Sequence, residues 1–147
     1  MKGKLPIVLL VEDNLGHAEL IVRSFQRHCI VNEIYHVADG RAALDYLFQQ
    51  GDYAGPAQSP RPNIILLDLR LPKVDGLQVL KNIKTNIDLC RIPVVILTTS
   101  EAQRDVARAY KHRANSYLVK PVNFDDFAQQ MDDLGLYWLG WNRQPRL

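Results

Sequence analysis

The chain has 147 residues, of which 47% are hydrophobic and 23% are charged, and its net charge is +2. These values describe one soluble globular domain, residues 1–147, that is long enough to bury a core. Lysine and arginine residues are dispersed rather than arranged in a stripe, so direct binding of nucleic acid is not expected. The apolar stretches fall short of the roughly 20 residues of a membrane span, so we predict a cytoplasmic protein without membrane association. Cys29 and Cys90 lack metal-ligand spacing and are interpreted as reduced packing residues.

The first predicted strand is an apolar run that starts at Pro6 and ends in Glu12, Asp13 and Asn14. Adjacent carboxylates repel each other unless a cation or hydrogen-bond donors offset the cost. A metal site is one interpretation, and a helix cap formed by Asp13 or Asn14 is the other. An amphipathic helix is predicted from about residue 15 to 28, because apolar residues follow at helical spacing: Ala18, Ile21, Val22, Phe25 and Cys29.

A second strand and helix follow. The strand is predicted over residues 33–38, Asp39 and Gly40 form a turn, and the helix carries Ala42, Ala43, Leu44 and Leu47. His36 is interpreted as an edge or cross-strand residue rather than a metal ligand, because no second ligand lies at suitable spacing. Residues 49–61 form a long loop, and loops of this length are usually functional or mobile.

The third apolar run ends abruptly in a single carboxylate. It starts at Asn63, is bounded by Pro62 and Pro72, and predicts a central strand of a parallel sheet with Asp68 at its carboxyl end. Ligands of open α/β sheets bind beyond the carboxyl ends of the strands. Asp68 is therefore a candidate site residue, although it could also simply cap a turn. After a turn at residues 72–76, the next helix is marked by Leu77, Leu80, Ile83 and Ile87.

The last two strands also end in polar residues. The fourth is the apolar run from Ile92 to Leu97, and the hydroxyls and acid that follow it suit a helix start: Thr98, Thr99, Ser100 and Glu101. The predicted inner face of that helix consists of Val106, Ala107, Tyr110 and Ala114. The fifth strand runs from Ser116 to Lys120 and is closed by Pro121. A final helix is predicted from about residue 123 to 139, with an apolar face of Phe124, Phe127, Met131, Leu134 and Trp138.

Strict alternation of five strands and five helices predicts an α/β protein with a doubly wound parallel sheet. One topology of this class is the flavodoxin-like (βα)5 sandwich, with strand order 2-1-3-4-5. That order would bring the carboxyl ends of four strands together at one crevice. The polar residues gathered there would be Glu12, Asp13, Asp68, Thr98, Thr99 and Lys120.

This set of residues suits phosphoryl chemistry. Three carboxylates in one cleft favour a hard divalent cation, and Mg²⁺ commonly takes one or two carboxylates together with waters and phosphate oxygens. An aspartate such as Asp68 can attack phosphorus and form an acyl phosphate. Lys120 and Thr98 could then each pair with a phosphoryl oxygen.

Several motifs together resemble the response regulator receiver domain over essentially the whole chain. They are Glu12-Asp13-Asn14, Leu67-Asp68, the run from Leu71 to Gly76, Thr98-Thr99-Ser100 and the run from Tyr117 to Pro121. The resemblance implies that Asp68 is the phosphoacceptor and that Lys120 senses the phosphoryl group. It implies that Mg²⁺ is bound by Asp13, Asp68 and the backbone carbonyl of Arg70, with Glu12 assisting through water. It also implies paired switch residues, Thr98 and Tyr117, and a cis peptide bond between Lys120 and Pro121.

Within receivers, the chain is most similar to the single-domain response regulators of cyanobacterial phytochromes. The similarity lies in the loop from Gly51 to Pro56, the Leu-Thr-Thr-Ser run and the Trp138-Leu139 ending. It implies a signalling protein rather than an enzyme, one that assists its own phosphorylation and dephosphorylation. The implied partners are a sensor histidine kinase regulated by light, which donates from a phosphohistidine, and a second copy of the chain in a homodimer built near the last helices.

Three features depart from the usual receiver pattern. His17 stands where receivers often have an acid, and Arg70 is bulkier and more cationic than the usual neighbour. The Arg70 side chain could cover the acyl phosphate, so Arg70→Ala would change its lifetime. No output domain is expected, and the aromatic extension at about residues 136–147 either completes the core or covers a partner.

Three other classes of protein are compatible with parts of the pattern. Phosphatases of the haloacid dehalogenase type also form an aspartyl phosphate, but their Asp-x-Asp pair lies on the first strand, whereas Asp68-Leu69-Arg70 follows the third. A flavodoxin-like electron carrier would need a phosphate cradle at the first turn, where Glu12 and Asp13 would repel the phosphate. A receiver-fold adaptor that works without phosphorylation is the third class, and the intact site residues argue against it.

Overall fold

The structure, a computed structural model, describes residues 5–27, 32–55 and 58–143. Its five parallel strands are β1 (Ile7–Val11), β2 (Glu33–Val37), β3 (Ile64–Leu67), β4 (Val94–Thr98) and β5 (Ser116–Val119). Its helices are α1 (Leu15–Gln26), α2 (Gly40–Phe48), α3 (Gly76–Lys84), α4 (Gln103–Lys111) and α5 (Phe124–Gly135). The strand order is 2-1-3-4-5, which confirms the predicted flavodoxin-like fold.

The sheet separates two hydrophobic cores. Side chains of a strand point alternately to the two faces, so Val8 and Leu10 of β1 pack on one face while Leu9 and Val11 pack on the other. The first core joins the sheet to α2, α3 and α4, and the second joins it to α1 and α5. With both faces covered, β3 and β4 are buried along their whole length, which explains why they appear in the sequence as unbroken apolar runs.

The register of the strands aligns the residues that follow them. Val11 of β1 is paired with Val37 of β2 and Leu67 of β3. The ladder continues past these pairs, since the Glu12 N–H donates to the Val37 carbonyl and the Asp68 N–H donates to the Val11 carbonyl, both at 3.1 Å. The residues after β1 and β3 therefore lie side by side at the carboxyl edge of the sheet.

Side chains cap four of the five helices. Asn14 Oδ1 accepts from the His17 N–H, at 3.0 Å, and caps α1. Asp39, Asp75 and Asn123 cap α2, α3 and α5 in the same way. Because Asn14 is the cap of α1, neither Glu12 nor Asp13 is needed for that task.

The start and inner face of α4 differ from the prediction. The helix begins after Ala102 rather than at the hydroxyl residues, because Ser100 is held outside it by hydrogen bonds to Asp105 and Tyr117. Its buried residues are Asp105 and Ala109, whereas Ala107 and Tyr110 are exposed. The predicted inner face was therefore wrong at Ala107 and Tyr110. The spacing of apolar residues cannot predict a buried face that includes a carboxylate, here that of Asp105.

Two other predicted core residues are exposed. Helix α3 ends at Lys84, before Ile87, because Asn86 accepts hydrogen bonds from the backbone of Asp88 and Leu89 and forms a turn there. Phe124 lies in the first turn of α5, which leaves it open to solvent. The final helix otherwise follows the prediction, and a π-helical turn, Leu136–Trp141, continues it.

A glycine fixes the loop between β3 and α3 against α2. The Gly40 N–H donates to the Pro72 carbonyl at 3.2 Å. A Cβ atom at Gly40 would lie only 1.8 Å from the Val74 carbonyl oxygen. An ion pair between Lys73 and Asp39, at 3.6 Å, closes the same contact. The loop that follows Asp68 is therefore packed directly on the first turn of a neighbouring helix.

The long loop before β3 is held by its own hydrogen bonds. The Tyr46 hydroxyl donates to the Pro60 carbonyl at 2.7 Å, and Ser59 Oγ lies 2.9 Å from the Tyr53 carbonyl oxygen. Cys90 is a free thiol, and Cys29 lies outside the described residues, as does Pro56 of the loop. None of the helices in the described part of the chain combines the length and the apolar character needed to cross a bilayer.

Candidate functional site

Three carboxylates meet at the carboxyl edge of the sheet. One oxygen from each of Glu12, Asp13 and Asp68 lies within 4.8 Å of the others. Glu12 and Asp68 are buried, and Asp13 is exposed. The structure thus brings together the acids that follow β1 and β3. Carboxylate oxygens are the ligands that hard divalent cations prefer, so this cluster can hold such a cation.

A buried lysine lies against two of these acids. Lys120 follows β5, and its Nζ donates to Glu12 Oε1 and, at 3.3 Å, to Asp68 Oδ2. The backbone N–H of Lys120 donates to the Thr98 carbonyl at 2.7 Å, which continues the β4–β5 ladder. The peptide bond between Lys120 and Pro121 is trans, so the expected cis bond is wrong in this structure. Lys120 reaches both carboxylates with the trans backbone.

His17 completes the surroundings of the lysine. Its Nδ1 lies 3.1 Å from Lys120 Nζ, and its ring packs edge-on against Phe127 with centroids 5.4 Å apart. Burial and the positive charge of Lys120 lower the pKa of His17. The neutral imidazole can accept a hydrogen bond from the ammonium group. His17 therefore provides a hydrogen-bond acceptor at the position where receivers often have an acid.

Burial dominates the electrostatics of Glu12. It raises the pKa of Glu12 to about 7, against the opposing hydrogen bond and charge of Lys120, while the negative charge of Asp68 raises it further. The Asn14 N–H, which donates to Glu12 Oε2 at 3.1 Å, opposes the rise. Glu12 and Asp68 share the ammonium group of Lys120, and Glu12 is buried, so Glu12 gains a proton more readily than an exposed glutamate does.

This pKa shift predicts how the Glu12→Gln variant behaves in metal-free protein. A carboxyl group whose pKa is raised on folding stabilises the protein below its unfolded pKa, and this contribution is lost as the pH rises through the folded pKa. The wild type should therefore lose stability between pH 4.5 and about pH 7 relative to the variant, which cannot ionise. Across this pH range, we expect the difference in free energy of unfolding between Glu12→Gln and the wild type to change by on the order of 2 kcal/mol.

The measurement is urea-induced unfolding in EDTA at a series of pH values. Glu19→Gln, an exposed change in α1, is the matched control and should follow the wild type at every pH. If the free energy of unfolding depended on pH in the same way for the wild type and for Glu12→Gln, the raised pKa would be contradicted.

The hydroxyl residues at the end of β4 have different environments. Thr98 is fully buried, and its Oγ1 accepts from the Ser100 N–H at 3.3 Å. Thr99 is exposed. Tyr117 of β5 packs against the first core, and its hydroxyl donates to the Ser100 carbonyl at 2.9 Å. The backbone of Ser100 thus connects the two predicted switch residues, Thr98 and Tyr117.

Arg70 contributes its backbone to the site and its side chain elsewhere. The Arg70 N–H donates to Asp68 Oδ1 at 3.3 Å. Its guanidinium does not cover Asp68 but pairs with Asp105, with Nη2 and Oδ2 2.6 Å apart. The Ser100 hydroxyl and the charge of Arg70 lower the pKa of Asp105. Sequence reasoning missed Asp105, and the only available signal was its spacing of four residues from the buried Ala109.

Comparison with known proteins agrees with this geometry. Residues 8–132 match the family described as the response regulator receiver domain. A curated relative, the "Probable methanogenesis regulatory protein FilR2" of Methanothrix harundinacea, is 50% identical over 95% of this chain and 87% of its own length. Response regulator Rcp1 of Synechocystis is 44% identical over 90% of this chain and 88% of its own length. The chain belongs to the response regulator receiver family.

Two solved structures of response regulators are closely similar to this chain. The match to the Mn²⁺-bound form of Rcp1 covers 96% of this chain and 99% of the Rcp1 chain, with a TM-score of 0.91 and 42% sequence identity. The phosphorylated cyanobacterial phytochrome response regulator RcpA also has a TM-score of 0.91, at 37% identity over 97% of this chain and all of its own. The predicted resemblance to the phytochrome regulators is thereby confirmed.

Proposed function

We propose that Asp68 accepts a phosphoryl group from the phosphohistidine of a sensor histidine kinase, with Mg²⁺ bound at the acidic cluster. The observation that carries this proposal is the position of the Asp68 carboxylate, which lies against Lys120 Nζ and within one cluster with Glu12 and Asp13. A nucleophilic carboxylate, a cation site and an ammonium group are the parts that phosphoryl transfer needs, because its catalysis is mainly positioning and charge neutralisation.

Each residue of the site has a role in this transfer. Asp13, Asp68 and the backbone carbonyl of Arg70 would hold Mg²⁺, and Glu12 would do so through a water molecule. The bound ion would neutralise charge on the phosphoryl oxygens. An Asp68 oxygen forms the new bond to phosphorus as the bond from phosphorus to the histidine nitrogen breaks. Lys120 pairs with one phosphoryl oxygen, and Thr98 donates a hydrogen bond to another.

The surface around the site suits a protein donor. Leu15 begins α1, and Val122 and Phe124 lie between β5 and the first turn of α5, so all three stand near the carboxyl edge of the sheet. Each is a large apolar side chain that is strongly exposed. Exposed apolar groups beside a reactive carboxylate favour docking of a protein rather than of a small phosphodonor.

We further propose that the kinase is a phytochrome, so that light is the input. This narrower proposal rests on the similarity to Rcp1 and RcpA. FilR2, which is 50% identical, is named as a regulator of methanogenesis, so similarity at this level is not confined to phytochrome regulators.

The proposed output is a change in the protein's own surface, exerted in the cytoplasm and without direct contact to nucleic acid. Thr98 would move towards the phosphoryl group, and Tyr117 would turn inward and alter the surface formed by α4, β5 and α5. Exposed apolar groups in the segment after α5 support a homodimer near the last helices: Leu136, Tyr137 and Trp141. In this proposal, residues 1–147 act as a single receiver domain, which signals through its own surface rather than as an enzyme.

Intact-mass spectrometry tests the central proposal. The purified protein is incubated with acetyl phosphate, with Mg²⁺ in one sample and with EDTA in the other. We expect one phosphoryl group per chain in Mg²⁺ and little or none in EDTA, because the acidic cluster needs the cation to accept a phosphoryl group. Absence of an adduct under both conditions would contradict the proposal and favour a receiver-fold adaptor.

A further inference from the structure

A polar network connects the carboxylate site to helix α4. Asp105, in the first turn of α4, receives a hydrogen bond from the Ser100 hydroxyl and pairs with Arg70 Nη2, each at 2.6 Å. Ser100 in turn accepts from the Tyr117 hydroxyl through its carbonyl oxygen. The network therefore contains the residue two positions after Asp68 and one of the two proposed switch residues.

The two partners of the ion pair differ in their freedom to move. The side chain of Asp105 is 3% exposed, whereas that of Arg70 is 60% exposed. Asp105 is fixed on a helix and packed, so it cannot follow its partner. Arg70 has a long side chain in solvent and can change partner without disturbing the core. Any exchange of partners within this pair would thus be a movement of Arg70.

Arg70 lies within reach of a second anion. Its backbone N–H already donates to Asp68 Oδ1, which anchors the start of its side chain beside the carboxylate. A phosphoryl group on Asp68 would add roughly two negative charges and acceptor oxygens that match the planar guanidinium fork. Arginine binds such a group more specifically than a lysine does, because it can donate two parallel hydrogen bonds.

We propose that Asp105 is a positioning residue that competes with the phosphoryl group on Asp68 for the guanidinium of Arg70, and thereby sets the lifetime of the acyl phosphate. The inference rests on the proposed phosphorylation of Asp68. In the unphosphorylated protein Asp105 holds Arg70 away from the site. After phosphorylation Arg70 divides its time between the two anions, and only the fraction on the phosphoryl group shields phosphorus from water.

The step that this shielding slows is hydrolysis of the acyl phosphate. A water oxygen forms a bond to phosphorus, the bond between phosphorus and the Asp68 oxygen breaks, and the water proton leaves with the phosphate. The products are inorganic phosphate and the Asp68 carboxylate. When Arg70 moves to the phosphoryl group, Asp105 loses this ion pair and keeps the hydrogen bond from Ser100, which weakens the attachment of the α4 N-terminus. The same exchange therefore links the site to the surface that contains Tyr117.

Lifetimes of the acyl phosphate test this competition. Each protein is phosphorylated with acetyl phosphate in Mg²⁺, the donor is removed, and the phosphorylated fraction is followed by intact mass. Asp105→Asn keeps the shape and an acceptor for Ser100 but loses the charge, so it should lengthen the lifetime roughly threefold. Arg70→Ala, a change at an exposed side chain, should shorten it. Arg91→Ala, an exposed change at the opposite edge of the sheet, is the control and should leave it unchanged.

The double variant Asp105→Asn/Arg70→Ala separates positioning from a general structural effect. If Asp105 acts through Arg70, the double variant should have the lifetime of Arg70→Ala alone. An equal effect of Asp105→Asn with and without Arg70 would overturn the inference, as would an unchanged lifetime in Arg70→Ala. A wild type that takes no phosphoryl group would instead refute the proposed function, so the two failures are distinguishable.

Discussion

Asp68→Asn is expected to reduce phosphorylation by acetyl phosphate and Mg²⁺ to below detection. The carboxamide is a far weaker nucleophile than the carboxylate and removes one of the three charges that attract the cation. The fold should be retained, because the amide has nearly the same shape and its oxygen can still accept from one of the two donors, Lys120 Nζ or the Arg70 N–H. The measurement is the intact mass of both proteins after the same incubation.

Asp52→Asn is the matched control for this result. Asp52 is an exposed aspartate in the long loop before β3, so its loss should leave the adduct unchanged. Equal phosphorylation of wild type and Asp68→Asn would show that another residue accepts the phosphoryl group. Peptide mapping of the adduct would then identify it.

Gly40→Ala should destabilise the protein by about 3 kcal/mol, at the upper end of overpacking effects. Its Cβ would lie 1.8 Å from the Val74 carbonyl oxygen and 2.7 Å from the Val74 carbonyl carbon. Both contacts are to backbone, so no flexible side chain can move aside, and the loop after β3 must shift as a whole. Because that loop follows Asp68, the variant should also accept phosphate more slowly from acetyl phosphate. Urea-induced unfolding in EDTA measures the loss of stability.

Gly16→Ala provides the comparison for this variant. Gly16 lies in the first turn of α1, and a Cβ there would meet only the side-chain oxygen of Asn14, at 3.3 Å. Alanine favours a helix over glycine by roughly 0.5–1 kcal/mol, so this change should be neutral or mildly stabilising. A loss of less than 1 kcal/mol in Gly40→Ala would mean that the loop yields easily and that the close contact does not fix it.

The sheet and the clustered acids were predictable for a physical reason. Strands covered on both faces must be apolar throughout, so β1, β3 and β4 stand out as short runs that end abruptly. The carboxyl ends of parallel strands lie at the same edge of the sheet, so the residues that follow two neighbouring strands lie close together. Glu12 and Asp68 end neighbouring strands and could therefore be predicted to lie together. Lys120 follows β5, which is separated from β3 by β4, and its long side chain spans that distance.

The hydrogen-bond and ion-pair partners of the side chains could not be predicted from the sequence in the same way. The pairing of Arg70 with Asp105 depends on a turn between β4 and α4 whose shape is set by hydrogen bonds rather than by periodicity. Lys84 is a similar case, since this lysine is buried and its Nζ donates to the carbonyl oxygens of Cys90 and Ile92 and to Asn115 Oδ1. A charged residue that is satisfied by backbone carbonyls has the same sequence signature as one in solvent.

The contact of Lys120 with both Glu12 and Asp68 has a kinetic consequence. The ammonium group already stands where the negative charge of a bound phosphoryl group would develop, and two neighbouring acids hold it there before any donor arrives. For the proposed transfer, little reorganisation energy is then spent on bringing a counter-charge into place. The barrier would lie instead in the approach of the donor and the dehydration of the cation. A kinase would accelerate the reaction mainly by raising the effective concentration of its phosphohistidine at a site where the ammonium counter-charge is already in place.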